Sequence, residues 1–375
     1  MAESKERKHT LTAHRDIIVI GASTGGLEAF KQIVRALPQD LAAAVFIVWH
    51  ISPEAPSILP GILTRAGKLP AHHGVDGEPI RHGRIYIAPP DYHLMLEATH
   101  LRLTHSPKEN RFRPAVDPLF RSAAYAFGPR VIGVVLSGAL DDGTAGLWAV
   151  KDRGGVAVVQ TPEEAQHASM LLSVLQHVEI DHCVPVAEIA PLLVELTSQS
   201  FKVKEKSPMA GDLEIETKMG LQEEGLEAGV LQLGVPSLFT CPECHGVLLQ
   251  IQNGKLLRFR CHTGHAFSPQ SLVAALTEAT EDALWNVLRA LEESTLLLEH
   301  LAQRAEEMQQ VEQATILRQQ ERRTREQLDL VKQATLRHET VRTGGVEEDP
   351  MNNEPHSALG SKLVDEESST DIETS

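Results

Sequence analysis

The sequence predicts an α/β protein: a doubly wound, mostly parallel sheet with helices on both faces, followed by a small zinc-ribbon-like module and long C-terminal helices. Three observations carry this. Short apolar runs, IIVIGA, AAAVFIVWH, GRIYIAP, RVIGVVLSG, GVAVVQ and HVEIDHCVPV, recur through the first half with little inside-outside alternation, as strands buried on both faces do. Three of the four cysteines fall between Cys241 and Cys261. From Gln270 to Thr343 there is neither glycine nor proline.

The elements follow in order. After a polar segment, 1–15, comes IIVIGASTGGLEAFKQIVRAL, a β-branched run, a glycine-flanked turn, and apolar residues Leu27, Phe30, Ile33, Val34 and Leu37 at helical spacing. DPLFRSAAYAF and DGTAGLWAVKDRG supply helices between later strands, and the first domain is read as 16–197. The lone Cys183 is expected to be a buried core residue. Charged, weakly apolar residues 198–237 read as a linker with one short helix. A Cys/His module, 238–268, contains LLQIQNGKLLRFRC, a hairpin turning at Asn253-Gly254. In 269–342, Leu284, Val287, Leu291, Leu298, Leu301, Ala305 and Met308 recur at three- and four-residue steps. One rod of that length would reach roughly 110 Å, so a coiled coil or a helical hairpin broken near 306–313 is expected. The tail, 343–375, with nine acidic residues and one lysine, is expected to be disordered.

Composition excludes several functions. A net charge of −16 counts against nucleic acid or an anionic membrane surface as partner. Hydrophobic content of 42% supports a core. No run approaches the ~20 apolar residues of a membrane span, and the first residues lack the apolar stretch of a secretion signal. A cytoplasmic location is expected, where thiols stay reduced.

Gly21-Ala22-Ser23-Thr24-Gly25 fits G-x-S-x-G between a buried strand and a helix start, the setting in which a sharp turn presents a serine hydroxyl at the sheet edge. Backbone N–H groups at the helix start, that of Thr24 among them, suit a developing oxyanion. A phosphate-binding loop is the competing reading; it is weakened because Ser23 takes the middle glycine position of G-x-G-x-x-G and no G-K-[ST] follows. A serine nucleophile needs a base and an orienting acid. His50 ends FIVWH, and Asp142 lies in the glycine-rich SGALDDGTAG turn after another strand; the adjacent Asp141 competes with it, and spacing does not separate the two. Carboxyl ends of strands are where open α/β sheets bind ligands.

Five segments, GASTGGLEAF, WHISP, GRIYIAPPDYHLML, NRFRPAVDPLF and SGALDDGTAGL, resemble in order the catalytic domain of the chemotaxis protein-glutamate methylesterases, the CheB family. The resemblance covers roughly 17–197. It implies Ser23 as nucleophile, His50 as general base and Asp142 as orienting acid, with Asp141 at a position not required to be acidic. It also implies an oxyanion donor in the Gly138-Ala139 turn, where relatives usually have Met in place of Ala139, and makes Arg113 and Asp117 structural or rim residues. The implied reaction is hydrolysis of glutamate γ-methyl esters on methyl-accepting chemoreceptors, with glutamine deamidation in some members, and no cofactor for catalysis. Such enzymes commonly carry a receiver domain ahead of the catalytic one; only about fifteen residues precede the first strand here. The resemblance therefore leaves constitutive activity, or control by the C-terminal half or by a chemosensory kinase or adaptor in the phosphorelay. A reading from another class is a signalling adaptor with a vestigial esterase domain.

Cys241-Pro-Glu-Cys244 and Cys261-His-Thr-Gly-His265 form C-x2-C and C-x3-H knuckles. Their thiolates and imidazole suit a closed tetrahedral structural zinc site, with His245 and His262 as alternative fourth ligands. Residues from Phe239 to about Leu301 resemble a C-terminal extension of some receiverless relatives. For the long helices, intramolecular packing and partner binding, homodimerisation included, are evenly matched.

Overall fold

The computed structural model describes residues 12–53, 58–202, 211–222 and 229–344. Its strands are β1 (Thr12–His14), β2 (Ile17–Ala22), β3 (Ala44–Trp49), β4 (Ala71–His73), β5 (Ile85–Ile87), β6 (His93–Leu96), β7 (Leu101–Thr104), β8 (Val131–Val135), β9 (Val156–Gln160), β10 (His182–Val184), β11 (Ser200–Lys202), β12 (Val235–Thr240), β13 (Val247–Asn253), β14 (Leu256–Cys261) and β15 (Ala266–Phe267). Its α-helices are α1 (Gly26–Ala36), α2 (Leu59–Ala66), α3 (Val116–Phe127), α4 (Thr144–Asp152), α5 (Ser169–His177), α6 (Val186–Ser198), α7 (Gly211–Gly220), α8 (Pro269–Glu307) and α9 (Val311–Gly344). Two compact units result, Met1–Glu278 and Ala279–Ser375.

The first unit is built on a seven-stranded sheet of order β10-β9-β8-β2-β3-β5-β4, parallel at every pairing. The apolar runs form it because alternate residues serve two cores. Ile17 and Val19 of β2 face a cluster with Phe120 and Leu147 from α3 and α4, while Ile18, Ile20 and Ala22 face Phe30, Ile33 and Leu193 from α1 and α6. From β2 the chain winds out one way through β3 and the other way through β8, so the order reverses at β2, the switch point where such sheets leave a crevice. Six strands match the six apolar runs. The β6–β7 hairpin, antiparallel with Leu94 opposite Leu103, and the short β1–β11 pair carried no signal strong enough to be read.

Cys183 is exposed, which corrects the expectation of a core position. It lies on the three-residue strand β10, at the edge of the sheet among the described residues, and its side chain faces outward. The segment read as a linker contains the expected short helix, α7, but that helix packs on α3 and buries Glu216. The Cys/His module is a four-stranded antiparallel sheet, β12-β13-β14-β15. Asn253 pairs with Leu256, so the hairpin turn is Gly254-Lys255, one residue beyond the expected pair, with Gly254 at φ 61°.

In the second unit the long helical stretch breaks where α8 ends and α9 begins, with Gln309 left-handed at φ 58°. Arg318–Glu306, Arg325–Glu299 and Lys332–Glu292 ion pairs step in opposite directions along the two helices, which makes them an antiparallel hairpin. The seam runs through Leu288, Thr295 and Ala302 on α8 and Ala314, Glu321, Leu328 and Thr335 on α9, a seven-residue repeat on each. Val287, Leu301 and Met308 of the expected stripe are exposed instead. Ala305 of that stripe is buried, and Leu284, Leu291 and Leu298 are half-buried. Thr343 and Gly344 of the acidic tail end α9; the rest of the tail and most of the polar N-terminal segment lie outside the described residues. Among the described residues no helix is long and apolar enough to cross a membrane.

Candidate active site

Ser23 is the first residue beyond β2, and it is tied to the strands on either side. Its N–H donates to Ser137 O at 3.0 Å, and Trp49 Nε1 donates to Ser23 O at 2.9 Å. The residue is 6% exposed. The left-handed position of the turn belongs to Gly25, at φ 83°, so the backbone demand of the G-x-S-x-G elbow falls on a residue without a Cβ and not on the serine. Close approach also requires Gly138: a methyl there would lie 2.9 Å from Ser23 Cβ and 2.0 Å from Met170 Sδ. The turn after β8 therefore reaches the serine because it lacks a side chain. Gly138 N–H is spent on His167 O at 3.0 Å. Thr24 and Ala139, the expected oxyanion donors, are exposed, and among the described residues their N–H groups have no partner.

His50 follows β3, whose Trp49 is in register with Ala22, so imidazole and serine leave adjacent strands at neighbouring positions. Its Nε2 lies 2.7 Å from Asp142 Oδ2. An ionised carboxylate only accepts, so Nε2 is the donor in this bond. Nδ1 is buried and among the described residues has no hydrogen-bond partner, Ser23 included. The ring is fixed by stacking on Phe112, with centroids 3.8 Å apart and planes 10° from parallel.

Spacing left Asp141 and Asp142 as rivals; the structure gives His50 to Asp142. Oδ2 of that carboxylate also accepts from Val116 N–H at 2.6 Å. Oδ1 accepts from Asn110 Nδ2 at 2.9 Å, Asp117 N–H at 3.2 Å and Gly143 N–H at 3.0 Å. Burial opposes the charge, but the His50 hydrogen bond and these donors outweigh it and hold the Asp142 carboxyl below the usual range. Asp117 is the opposite case: burial first, and then the neighbouring charge of Asp142, push it up to about 8. The two neighbouring carboxyl groups are thus pushed in opposite directions, Asp117 up and Asp142 down. Asp141 turns elsewhere, accepting from Ser268 Oγ at 2.6 Å, and burial raises it to about 6.

Arg113 is a brace, as expected, pairing with Asp91 at 2.7 Å and donating to Ser106 O at 2.9 Å. Asp117 is more than that, being fully buried against the acid. Asn110, Phe112 and Asp117 all fall in NRFRPAVDPLF; the sequence gave Asn110 and Phe112 no role and Asp117 only a structural or rim one. Their signal was the density of polar residues in a stretch that ends at a helix start. A cavity of about 260 Å³ is lined by Asn110, Asp117, Asp141, His177, Arg258 and Ser268; it adjoins the supports of the acid, and neither Ser23 nor His50 lines it.

Cys241, Cys244, Cys261 and His265 converge, their ligand atoms all within 4.8 Å of one another. Cys244 Sγ lies 3.6 Å from Cys261 Sγ, and Cys261 Sγ lies 3.6 Å from His265 Nδ1. His245 and His262, the alternative ligands, are exposed and outside the cluster.

Comparison with known proteins gives a consistent result. The CheB methylesterase family model matches residues 18–193. A protein of Anaeromyxobacter dehalogenans named protein-glutamate methylesterase/protein-glutamine glutaminase 2 is 36% identical over 197 residues, 52% of this chain and 58% of that one. A Leptospira interrogans protein, provisionally named a protein-glutamate methylesterase/protein-glutamine glutaminase, is 34% identical over 188 residues, covering 50% of this chain and 97% of its own length. The crystal structure of the Thermotoga maritima CheB methylesterase catalytic domain is 34% identical and covers 49% of this chain and 100% of that one, with a TM-score of 0.48. The chain thus spans a little over half of the Anaeromyxobacter relative and nearly all of the Leptospira one, and by that match it belongs to the CheB methylesterase family.

Proposed function

We propose that the chain is a serine esterase that hydrolyses glutamate γ-methyl esters on methyl-accepting chemoreceptors. The carrying observation is the buried 2.7 Å bond from His50 Nε2 to Asp142, which leaves Nδ1 as an unshared base at the sheet edge where Ser23 emerges. In this reading Ser23 Oγ attacks the ester carbonyl as His50 Nδ1 takes its proton. The Thr24 and Ala139 N–H groups, without partners among the described residues, stabilise the oxyanion. Asp142, held ionised by its donors, stabilises the imidazolium. His50 then protonates the departing methoxide, methanol leaves, and an acyl-enzyme remains on Ser23. A water deprotonated by His50 hydrolyses it, returning the proton to Ser23 and releasing the glutamate. A primary amide could follow the same course with ammonia leaving, which is the deamidation that the relatives' double name describes. The names of those relatives support a protein substrate. The test is methanol release from methylated receptor: the full chain releases it, and Ser23→Ala lowers the rate by roughly 10⁴-fold or more with the fold intact by circular dichroism. Release unchanged by the substitution removes Ser23 from the reaction.

A further inference from the structure

We propose that Cys241, Cys244, Cys261 and His265 bind a structural Zn²⁺ ion, and that the module this ion closes positions the triad acid through Asn110. The donor set fits. Tetrahedral zinc with bonds of about 2.3 Å to sulfur and 2.0–2.1 Å to nitrogen places neighbouring ligand atoms about 3.6–3.8 Å apart; the Cys244–Cys261 and Cys261–His265 separations are both 3.6 Å. Each pair of ligands sits on a tight backbone loop. His245 N–H returns to Cys241 O at 2.8 Å, and Gly264 N–H returns to Cys261 O at 3.1 Å. Thr263 Oγ1 donates to Cys244 Sγ at 3.6 Å, a hydrogen bond to a ligand sulfur of the kind that orients metal ligands. Four protein ligands close the shell, so the ion supplies folding and no open position for chemistry. The ribbon's cores are small: Leu248, Phe259 and Phe267 with Leu272 and Ala275 of α8 surround the two buried cysteines, and Leu249 and Ile251 pack with Met219, Val230 and Leu233; cores of this size commonly rely on a metal.

The residues that flank the second knuckle reach the triad. Arg260, 1% exposed, donates to Gly264 O at 3.0 Å within the knuckle and to Glu109 Oε1 at 3.0 Å. Asn110 N–H donates to Ala266 O at 2.8 Å. Ser268 N–H and Ser271 Oγ both donate to Asn110 Oδ1 at 3.0 Å. With its oxygen held by the module, the Asn110 amide aims both N–H bonds at carboxylates, Asp117 Oδ2 and Asp142 Oδ1, each at 2.9 Å. The backbone N–H and Oδ1 of Asn110 are thereby committed to Ala266, Ser268 and Ser271, and its two amide hydrogens to Asp117 and to Asp142, the acid that orients His50. Loss of the ion frees 261–265, and with them the two groups that fix the amide's rotation. The positioning half of this proposal rests on the esterase reading; the metal half stands without it.

The test uses the full chain, purified under reducing conditions from zinc-supplemented medium. Metal analysis finds about one zinc per chain; His265→Ala loses it, and His265→Cys, which keeps four ligands, retains it. Full-length chain with reduced thiols and no zinc overturns the metal site, whatever its esterase activity. Hydrogen exchange of amides reads the coupling independently of activity. On zinc removal by a chelator, Asn110, Val116 and Asp117 exchange at least tenfold faster while β2, β8 and β9 keep their protection. Uniform loss of protection makes the module a general stabiliser, and unchanged protection at 110–117 uncouples it from the acid; either overturns the positioning role. With a small carboxylic ester as substrate, His265→Ala lowers kcat several-fold at constant KM and His265→Cys restores it. In an Asn110→Ala background His265→Ala adds nothing further; a full additional loss there contradicts the route through Asn110. A full chain that binds zinc and shows the local exchange response but hydrolyses no ester retains the structural link and refutes only the esterase reading.

Discussion

Asp117 and Asp142 show how one buried site can give two carboxyl groups opposite states. Asp142 has His50 and Asn110 side-chain donors together with three backbone N–H groups, and stays ionised. Asp117 accepts from Gly143 and Gly146 N–H at 3.1 and 2.6 Å but must share its surroundings with that charge. The folded chain keeps the Asp117 proton up to about pH 8, whereas the ordinary value is 3.8. The stability this group contributes is therefore complete below pH 4, declines as pH rises, and is lost above about pH 8. Glu109 and Glu216 act in the other sense. Each is buried, and each is driven low by arginines, Arg121 and Arg260 for Glu109, and Arg258, Arg260 and Arg121 for Glu216. Their contribution is present above pH 4.5 and lost in acid. Denaturant melts across pH should show a maximum between these limits. Asp117→Asn should flatten the decline between pH 5 and 8; an unchanged slope there would assign the decline to other groups.

At the level of elements, the ends of β2, β3 and β8 make the site by backbone bonds before any side chain is considered. Ser23 N–H reaches Ser137 O, and His50 N–H reaches Ala22 O at 3.3 Å. Gly138 is the narrowest point of this arrangement. Gly138→Ala should cost about 1–3 kcal/mol by overpacking and lower kcat more than its effect on folding explains, because the new methyl displaces Ser23 as well as Met170. A melting curve together with active-site titration separates the two; a fully active, less stable variant would show that the serine moves without consequence. This geometry explains what was legible in the chain. The three strand ends could be read because buried parallel strands write continuous apolar runs and because their turns carry small residues. Choosing Asp142 over Asp141 needed either family likeness or coordinates, since adjacent residues differ only in the direction they point. The β6–β7 hairpin and the packing of α7 were hidden because mixed polar strands and a charged helix derive their order from tertiary partners. The burial seam of the helical hairpin was legible only in part: Ala305 is buried and Leu284, Leu291 and Leu298 half-buried as their spacing suggests, but Thr295 and Ala302, which carry no amphipathic signal, are buried too, while Val287, Leu301 and Met308 face outward.

Over the whole molecule, the site and the Cys/His module are parts of one compact unit, and five charged side chains lie buried where they meet. Glu109, Arg121, Glu216, Arg258 and Arg260 pair among themselves at 2.6–3.1 Å in their closest contacts. Replacing one partner of such a group typically costs about 3–5 kcal/mol because the other charge is left unpaired. None of this interface was legible from sequence, where each residue reads as an ordinary surface charge and the intervening stretch as a connector. The central claim concerns the triad, and covalent capture tests it most directly. A serine-reactive phosphonate ester should label the full chain once, on the peptide containing Ser23, at a rate that Asp142→Asn lowers by about 10⁴-fold, the effect of replacing a triad acid by its amide, and that Asp141→Asn changes less than about tenfold, as for a residue outside the triad. Labelling of a different residue, or a rate indifferent to Asp142→Asn, would contradict it.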